Sequence, residues 1–298
     1  MTASTATSLQ VVIPCMNPLE EVRETLRTFS GQELPGTEVH LLSPPSRREE
    51  VGEIADEFLD VDYRIVEKFR SESLPGMMND AARPGDFDYL LFLDDDILFR
   101  DSQTVQTLLA AAERPEIGAV GPVSVVHETG EVNSAGFLTG GFEFLNLDGG
   151  DDPGKLSGLR EVDVLEGLAI LVDSDAFLEA GGYPEDYFFY VDDFELCRRI
   201  EQAGWKNVCL METQIRHRLG DSGEGARKSY YAVRNGSYFR KRQYSLPLYV
   251  LNRLLNLTCF YPWTLANLAI QRKPELMKAV LLGVLDSLRG RKGRQDWF

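Results

Sequence analysis

Residues 88–99 read DYLLFLDDDILF, an apolar run from Tyr89 to Leu93 that ends in three adjacent aspartates, Asp94, Asp95 and Asp96. A short continuous apolar run of this length predicts a strand buried on both faces, as in parallel sheets. Adjacent like charges repel, so the trio needs a partner stronger than water. A hard divalent cation, which prefers carboxylate oxygens and keeps several waters, is such a partner. With Leu93 facing inward, strand alternation aims Asp94 and Asp96 one way and Asp95 another. N-capping of the next helix is the competing role. It needs only one Asp, and that helix is expected to start later, near Asp101 or Ser102.

Strand and helix patterns alternate outward from this stretch. LQVVIPCMN is a β-branched run closed by Pro14, and in PLEEVRETLRTF the residues Val22, Leu26 and Phe29 fall at helical spacing. TEVHLLSPPS reads as a strand broken by prolines, REEVGEIADEFL as an amphipathic helix and YRIVEKF as a third strand. PGMMNDAAR reads as a loop entering a helix, and SQTVQTLLAAAE as the helix after the aspartates. This order predicts an α/β fold, a mostly parallel central sheet flanked by helices. Ligands of such sheets bind beyond the carboxyl ends of the strands, where the trio lies. The middle of the chain is rich in Gly and strand formers, with a mobile loop expected around Leu147 to Leu159, and a Gly-rich segment follows Arg218.

A second acidic pair occurs in YFFYVDDFELCRRIEQAGW, residues 187–205. Leu196, Cys197, Ile200 and Ala203 share a helical face and Gly204 ends the helix, which puts Asp192 and Asp193 at its N-terminus. Carboxylates there cap the helix, and the same position favours the ionised form that a general base requires. The aromatic residues Tyr187, Phe188, Phe189 and Tyr190 just before the pair would restrict water. His217, between Arg216 and Arg218, follows a further strand; by spacing alone it is one more surface or core histidine.

The chain has 298 residues and a net charge of −16. That total conceals an imbalance: residues 226–298 carry 14 Lys or Arg against three acids, and residues 1–225 carry 17 against 44. A body this acidic repels phosphate backbones and excludes general nucleic-acid binding. With only eight lysines among 31 basic residues, it also suits a protein kept soluble in high salt. Cys15, Cys197, Cys209 and Cys259 form no CxxC or metal-type spacing, and MTASTATSLQ has no basic or apolar leader pattern; a cytoplasmic protein with reduced thiols is expected.

Taken in order, IPCMN, LPGMMNDAA, LLFLDDDI, VLEGLAILV, GGYPEDYFFYVDDFELCRRIEQAGW, His217 and RNGSYFRK resemble the inverting family 2 glycosyltransferases of the GT-A fold, in the branch of rhamnosyl- and galactofuranosyltransferases. The resemblance runs from about Leu9 to Lys241. It implies a GT-A catalytic domain over 1–225, and a nucleoside-diphosphate sugar as donor. The acceptor it implies is a glycan or a lipid-linked molecule. LDDD is similar to the family's DXD motif, which assigns Asp94 and Asp96, with His217, to Mn²⁺ or Mg²⁺ and sets Asp95 near the ribose or sugar. Asp193 matches the base position, with Asp192 orienting the acceptor hydroxyl. Pro14 and Asn17 match the loop that cradles the nucleotide, and Asn79 the loop that approaches the diphosphate. One departure is Ser43-Pro-Pro-Ser46, where many members carry an acidic base-reading residue. Two other readings are a non-catalytic nucleotide-sugar-binding partner subunit and a sugar nucleotidyltransferase. The second would need a basic, Gly-rich triphosphate loop, which MNPLEE is not.

Residues 226–298 are expected as a separate basic, apolar helical region. Arg253, Asn252, Asn256, Asn267 and Pro262 interrupt it too often for a membrane span. Helices lying in a membrane surface, with Tyr249, Tyr261 and Trp263 at headgroup depth, are one expectation. Packing on the acidic body or on a second subunit of a homo-oligomer is the other.

Overall fold

The computed structural model describes residues 7–34, 36–139, 145–218 and 225–297; of the Gly-rich segment after Arg218, residues 220–224 lie outside the described residues and the rest is mostly helix from Gly225. The strands are β1 (Leu9–Pro14), β2 (Thr37–Leu42), β3 (Asp62–Val66), β4 (Tyr89–Leu93), β5 (Ile97–Phe99), β6 (Ile117–Val126), β7 (Val132–Ser134), β8 (Phe137–Leu138), β9 (Leu145–Asn146), β10 (Leu159–Val162), β11 (Ala169–Asp173) and β12 (Lys206–His217). The main sheet runs β10-β12-β6-β11-β4-β1-β2-β3, with β5 added to β12 and β7 to β6. From β4 to β3 every neighbour is parallel, as the alternation requires.

Beyond β4 the sheet is mixed. β11 runs antiparallel to both β4 and β6, and β12 returns parallel to β6. Parallel neighbours need a crossover of a dozen or more residues, usually a helix. Between β6 and β11 the described residues hold only short strands and a 3₁₀ turn at Pro153–Lys155, within the stretch expected as a loop.

Helices α1 (Leu19–Phe29), α2 (Arg48–Phe58), α3 (Leu74–Ala81), α4 (Thr104–Ala112), α5 (Ser174–Glu179) and α6 (Asp192–Gln202) cover both faces. Along β4, Leu91 and Leu93 pack on one face with Val22 and Leu26 of α1 and Val51 of α2. Leu90 and Phe92 pack on the other with Met78 of α3, Phe177 of α5 and Leu196 of α6. Full burial of each such side chain contributes about 1.5–3 kcal/mol, so a polar residue at any of these positions would be costly. This two-sided burial is why β4 holds no polar residue before Asp94.

The chain ends in α7 (Gly225–Gln243), α8 (Leu246–Leu255), α9 (Tyr261–Ile270) and α10 (Pro274–Arg289). A small core of Phe188, Tyr230, Tyr231 and Ala279 joins α7 and α10 to the segment that precedes α6. Arg242 pairs with Asp186 (2.8 Å) and Glu195 (3.1 Å), and Lys292 with Asp186 (2.6 Å). Part of the tail's positive charge is therefore spent on the acidic body. The outer side stays apolar, with Leu246, Leu254, Trp263 and Ile270 exposed.

Candidate active site

Strand pairing determines which residues meet at the end of β4. Leu93 lies opposite Ala169 in antiparallel register, so the residues leaving β4 meet those entering β11. Asp94 N–H donates to Leu168 O (2.9 Å). The neighbouring Gly167 N–H donates to Asp193 Oδ2 (2.9 Å). Two consecutive residues thus touch both acidic clusters. A Cβ at Gly167 would come within 3.1 Å of Asp193 Cβ and Oδ2, so the close approach depends on glycine. On the other side Ile97 lies opposite His217, which brings His217 Nε2 to 3.5 Å from Asp96 Oδ2.

The trio lies in the turn between β4 and β5, not on a strand, yet its members are separated. Asp95 is buried while Asp94 and Asp96 remain partly open. Asp95 Oδ2 accepts from Met16 N (2.6 Å) and Asn17 N (2.9 Å), and Oδ1 from Asn17 Nδ2 (2.8 Å). Both of its oxygens are engaged by the loop after β1, the loop that Asn17 belongs to. Pro14 ends β1 just before that loop. The same loop is held by Arg47, which donates to Met16 O (3.0 Å) and Asn17 O (2.6 Å) from just after Ser43-Pro-Pro-Ser46. Asn79 differs from expectation, lying within α3 rather than in a loop. Its Nδ2 donates to Tyr183 O (2.9 Å) and its Oδ1 accepts from Tyr183 N (2.8 Å), so its amide braces the turn that follows α5.

Neither Asp192 nor Asp193 caps α6. The N-cap is Val191, in left-handed backbone, and the aspartates are the first two helical residues. Phe188, Tyr190 and Val191 have φ of 72°, 71° and 71°. Left-handed non-glycine residues cost roughly 1–3 kcal/mol each and persist only where their surroundings over-determine them.

The charges raise one another's pKa. Asp94 is pushed well up by burial, then by Asp96, Asp95, Asp192 and Asp193. Asp193 is raised by burial and by Asp192, against the Phe194 and Gly167 N–H groups that favour its ionised form. Asp192 is raised by burial. For Asp95, burial outweighs the Asn17 and Met16 N–H bonds and lifts it to about 7. Such mutual repulsion in one place is relieved by a cation.

Two polar atoms here lack a partner among the described residues. Asp96 Oδ1 and His217 Nδ1 are buried without a hydrogen-bond partner. Among the described residues, however, no three His, Cys, Asp or Glu side chains are gathered as a metal site. Asp94, Asp96 and His217 are therefore not a preassembled set; only the Asp96–His217 contact is in place. Sites for Mg²⁺ are commonly completed by water and substrate phosphates around one or two carboxylates.

Residues 6–232 match the family described as glycosyltransferase like family 2. The chain belongs to that family. This family 2 glycosyltransferase is 27% identical over 220 residues to the O-antigen biosynthesis protein RfbC of Myxococcus xanthus, a match over 70% of the chain and 17% of that protein. It is 26% identical over 178 residues to an N-acetylglucosaminyl-diphospho-decaprenol L-rhamnosyltransferase of Mycobacterium tuberculosis, over 55% of the chain and 57% of the relative. The chain thus spans less than two thirds of either relative. Its fold is GT-A. The mannosyltransferase PcManGT from Pyrobaculum calidifontis, in complex with GDP-Man and Mn²⁺, superposes with a TM-score of 0.62 at 15% identity, covering 95% of this chain and 87% of that one. GalNAc-T7 with UDP, GalNAc and Mn²⁺ gives 0.58 at 14%, covering 81% and 52%.

The structure also brings residues to the glycosyltransferase site that sequence reasoning passed over. Glu166, beside Gly167, bonds Ser124 Oγ and, through Oε1, Asn133 Nδ2 (2.8 Å). Burial raises its pKa, while Ser124 and then His217 oppose the rise. A lone charge inside VLEGLAILV was the visible signal. Arg47 had none, because its partners lie about thirty residues upstream.

Proposed function

We propose that this glycosyltransferase moves a sugar, with inversion, from a nucleoside-diphosphate sugar to a hydroxyl of a glycan or lipid-linked acceptor, and that it depends on Mn²⁺ or Mg²⁺. The observation that carries the reading is the bridge of Gly167 and Leu168, bonded to Asp193 and Asp94 respectively. A single sugar could then touch both clusters. Asp96 and His217, with Asp94 beside them, would hold the cation, which supplies positive charge to a departing diphosphate. Asp193 takes the proton from the acceptor hydroxyl as its oxygen bonds to the anomeric carbon; the bond from that carbon to the diphosphate oxygen breaks on the opposite face. Asp192 orients the acceptor. Pro14 and the loop with Asn17, fixed by Asp95 and Arg47, form one wall for the nucleotide. With Ser43-Pro-Pro-Ser46 in place of an acid, base recognition follows other contacts.

A lipid-linked acceptor accords with the outer face of the tail. Leu246, Trp263 and Ile270 are 73%, 66% and 81% exposed, and Arg272 and Lys273 adjoin the last of them. Among the described residues no helix is long and apolar enough to cross a membrane. The arrangement suits contact with an anionic membrane surface. Paired Trp263→Ser and Ile270→Ser changes should lower co-sedimentation with anionic liposomes while leaving the thermal midpoint unchanged; undiminished sedimentation contradicts the contact.

The test of the reaction is a panel of nucleotide sugars incubated with Mn²⁺ and candidate acceptors, assayed for diphosphate release. Metal-dependent release of nucleoside diphosphate is expected from at least one donor. Release of pyrophosphate instead, or no turnover of any donor, overturns the reading.

A further inference from the structure

We infer that Arg234 and Asn235, on α7, are positioning residues that set the backbone turn carrying Asp192 and Asp193. The inference rests on the transferase reading above and assigns to the C-terminal helices a part in catalysis. Both side chains are fully buried. Asn235 Nδ2 lies 3.1 Å from Tyr187 O, 2.8 Å from Phe189 O and 2.8 Å from Tyr190 O. Asn235 Oδ1 accepts from Arg234 Nε (2.9 Å), and Arg234 Nη2 donates to Tyr187 O (2.8 Å). Arg234 Nη1 reaches Gly293 O (2.7 Å), and the guanidinium stacks 4.7 Å from the Tyr231 ring centroid.

These bonds converge on the strained segment. Phe188, Tyr190 and Val191 are its left-handed residues, and the next two residues are the acidic pair. Without α7 the carbonyl of buried Tyr187 would lose both of these partners, and those of Phe189 and Tyr190 the amide that fixes their direction. Apolar packing of Tyr230 and Tyr231 would suffice to anchor α7. It would not specify which way three backbone carbonyls point, whereas an amide and a planar guanidinium fork do. Displacement of a reacting group by about 1 Å costs about 100-fold in rate, so a turn free to relax would leave Asp193 present but misaimed.

The test uses the full chain with Asn235→Ala and Arg234→Lys; the second keeps the charge and loses the fork. Measured are kcat with an active donor, calorimetric affinity for ADP, GDP, UDP and dTDP with Mn²⁺, and amide exchange across Tyr187–Asp193. The expected result is a kcat lowered about 10- to 100-fold, faster exchange in that segment, and nucleotide affinity unchanged because the proposed nucleotide contacts follow β1 and β4. Wild-type kcat in both variants overturns the inference, as does a parallel fall of kcat, nucleotide affinity and thermal midpoint, the pattern of a purely structural pair. If Asn235→Ala does not fold, Arg234→Lys decides by the same readings. Asp193→Asn is assayed alongside: full turnover by that variant refutes the base assignment itself, whereas its loss of turnover with normal Asn235 and Arg234 variants refutes only this inference.

Discussion

Asp94–Asp96 leave a central strand whose register is fixed by β1 on one side and β11 on the other, whereas Asp192 and Asp193 open a helix behind a turn with three left-handed non-glycine residues. The first cluster sits on unstrained backbone and is held by the sheet. The second is held by a clamp from α7, more than forty residues further along the chain. In the proposed reaction, strand register would place the groups that meet the diphosphate, and the turn the group that meets the acceptor. Damage to the two regions should therefore separate into binding defects and rate defects.

The largest expected effect is on rate. Asp193→Asn should lower kcat by about 10²–10⁴-fold and leave calorimetric nucleotide binding with Mn²⁺ intact; equal losses of binding and rate would erase the distinction between the clusters. Asp96→Ala and His217→Ala should do the reverse, weakening Mn²⁺-dependent nucleotide affinity by at least about tenfold, the loss expected when a metal's immediate surroundings are disturbed. Unchanged affinity in both would remove the metal from that contact.

Asp95→Ala should cost stability. The variant leaves the Met16 and Asn17 N–H groups without their acceptor, at about 1–3 kcal/mol, readable by chemical denaturation. An unchanged midpoint would mean that the loop after β1 holds its shape without the carboxylate.

The smallest effect is a pH dependence. Asp193 is raised in the fold by burial and by Asp192. A raised carboxylate binds its proton more tightly when folded, so its contribution to stability is full below the ordinary value near ~3.9 and is lost as pH climbs toward the raised one. In metal-free buffer, wild type should lose thermal midpoint relative to Asp193→Asn as pH rises through this range. Mn²⁺ should narrow the gap. A gap independent of pH would show that the cluster does not repel as described.

The same contrast explains what could be read from the chain. β4, α1 and α2 were legible because their patterns are local: Val22, Leu26, Phe29, Val51 and Ile54 all bury the face that periodicity assigns them. Asp95 is buried apart from Asp94 and Asp96, the split that a period of two anticipates, although the trio occupies the turn between β4 and β5. Ala203 was expected on the buried face of α6 but is exposed, because the helix is already ending toward Gly204 at φ +103°. The reversal of β11 could not be read, since nothing local distinguishes a strand that returns from one that crosses over. Roles set by distant partners were hidden as well. Asn79 is spent on Tyr183, 104 residues away, and Asp95 on Met16 and Asn17, some 80 residues away. RNGSYFRK stood out as a motif, but its work on the turn before α6 lies across more than forty residues.

Crystals grown with Mn²⁺ and an intact, non-hydrolysed nucleotide sugar, with the cation located by its anomalous scattering, test the shared cleft most directly. A metal peak is expected against Asp96 and His217, with the diphosphate on that metal and the anomeric carbon facing Asp193. A metal and sugar bound where Asp193 cannot reach an acceptor attacking that carbon would contradict the shared cleft.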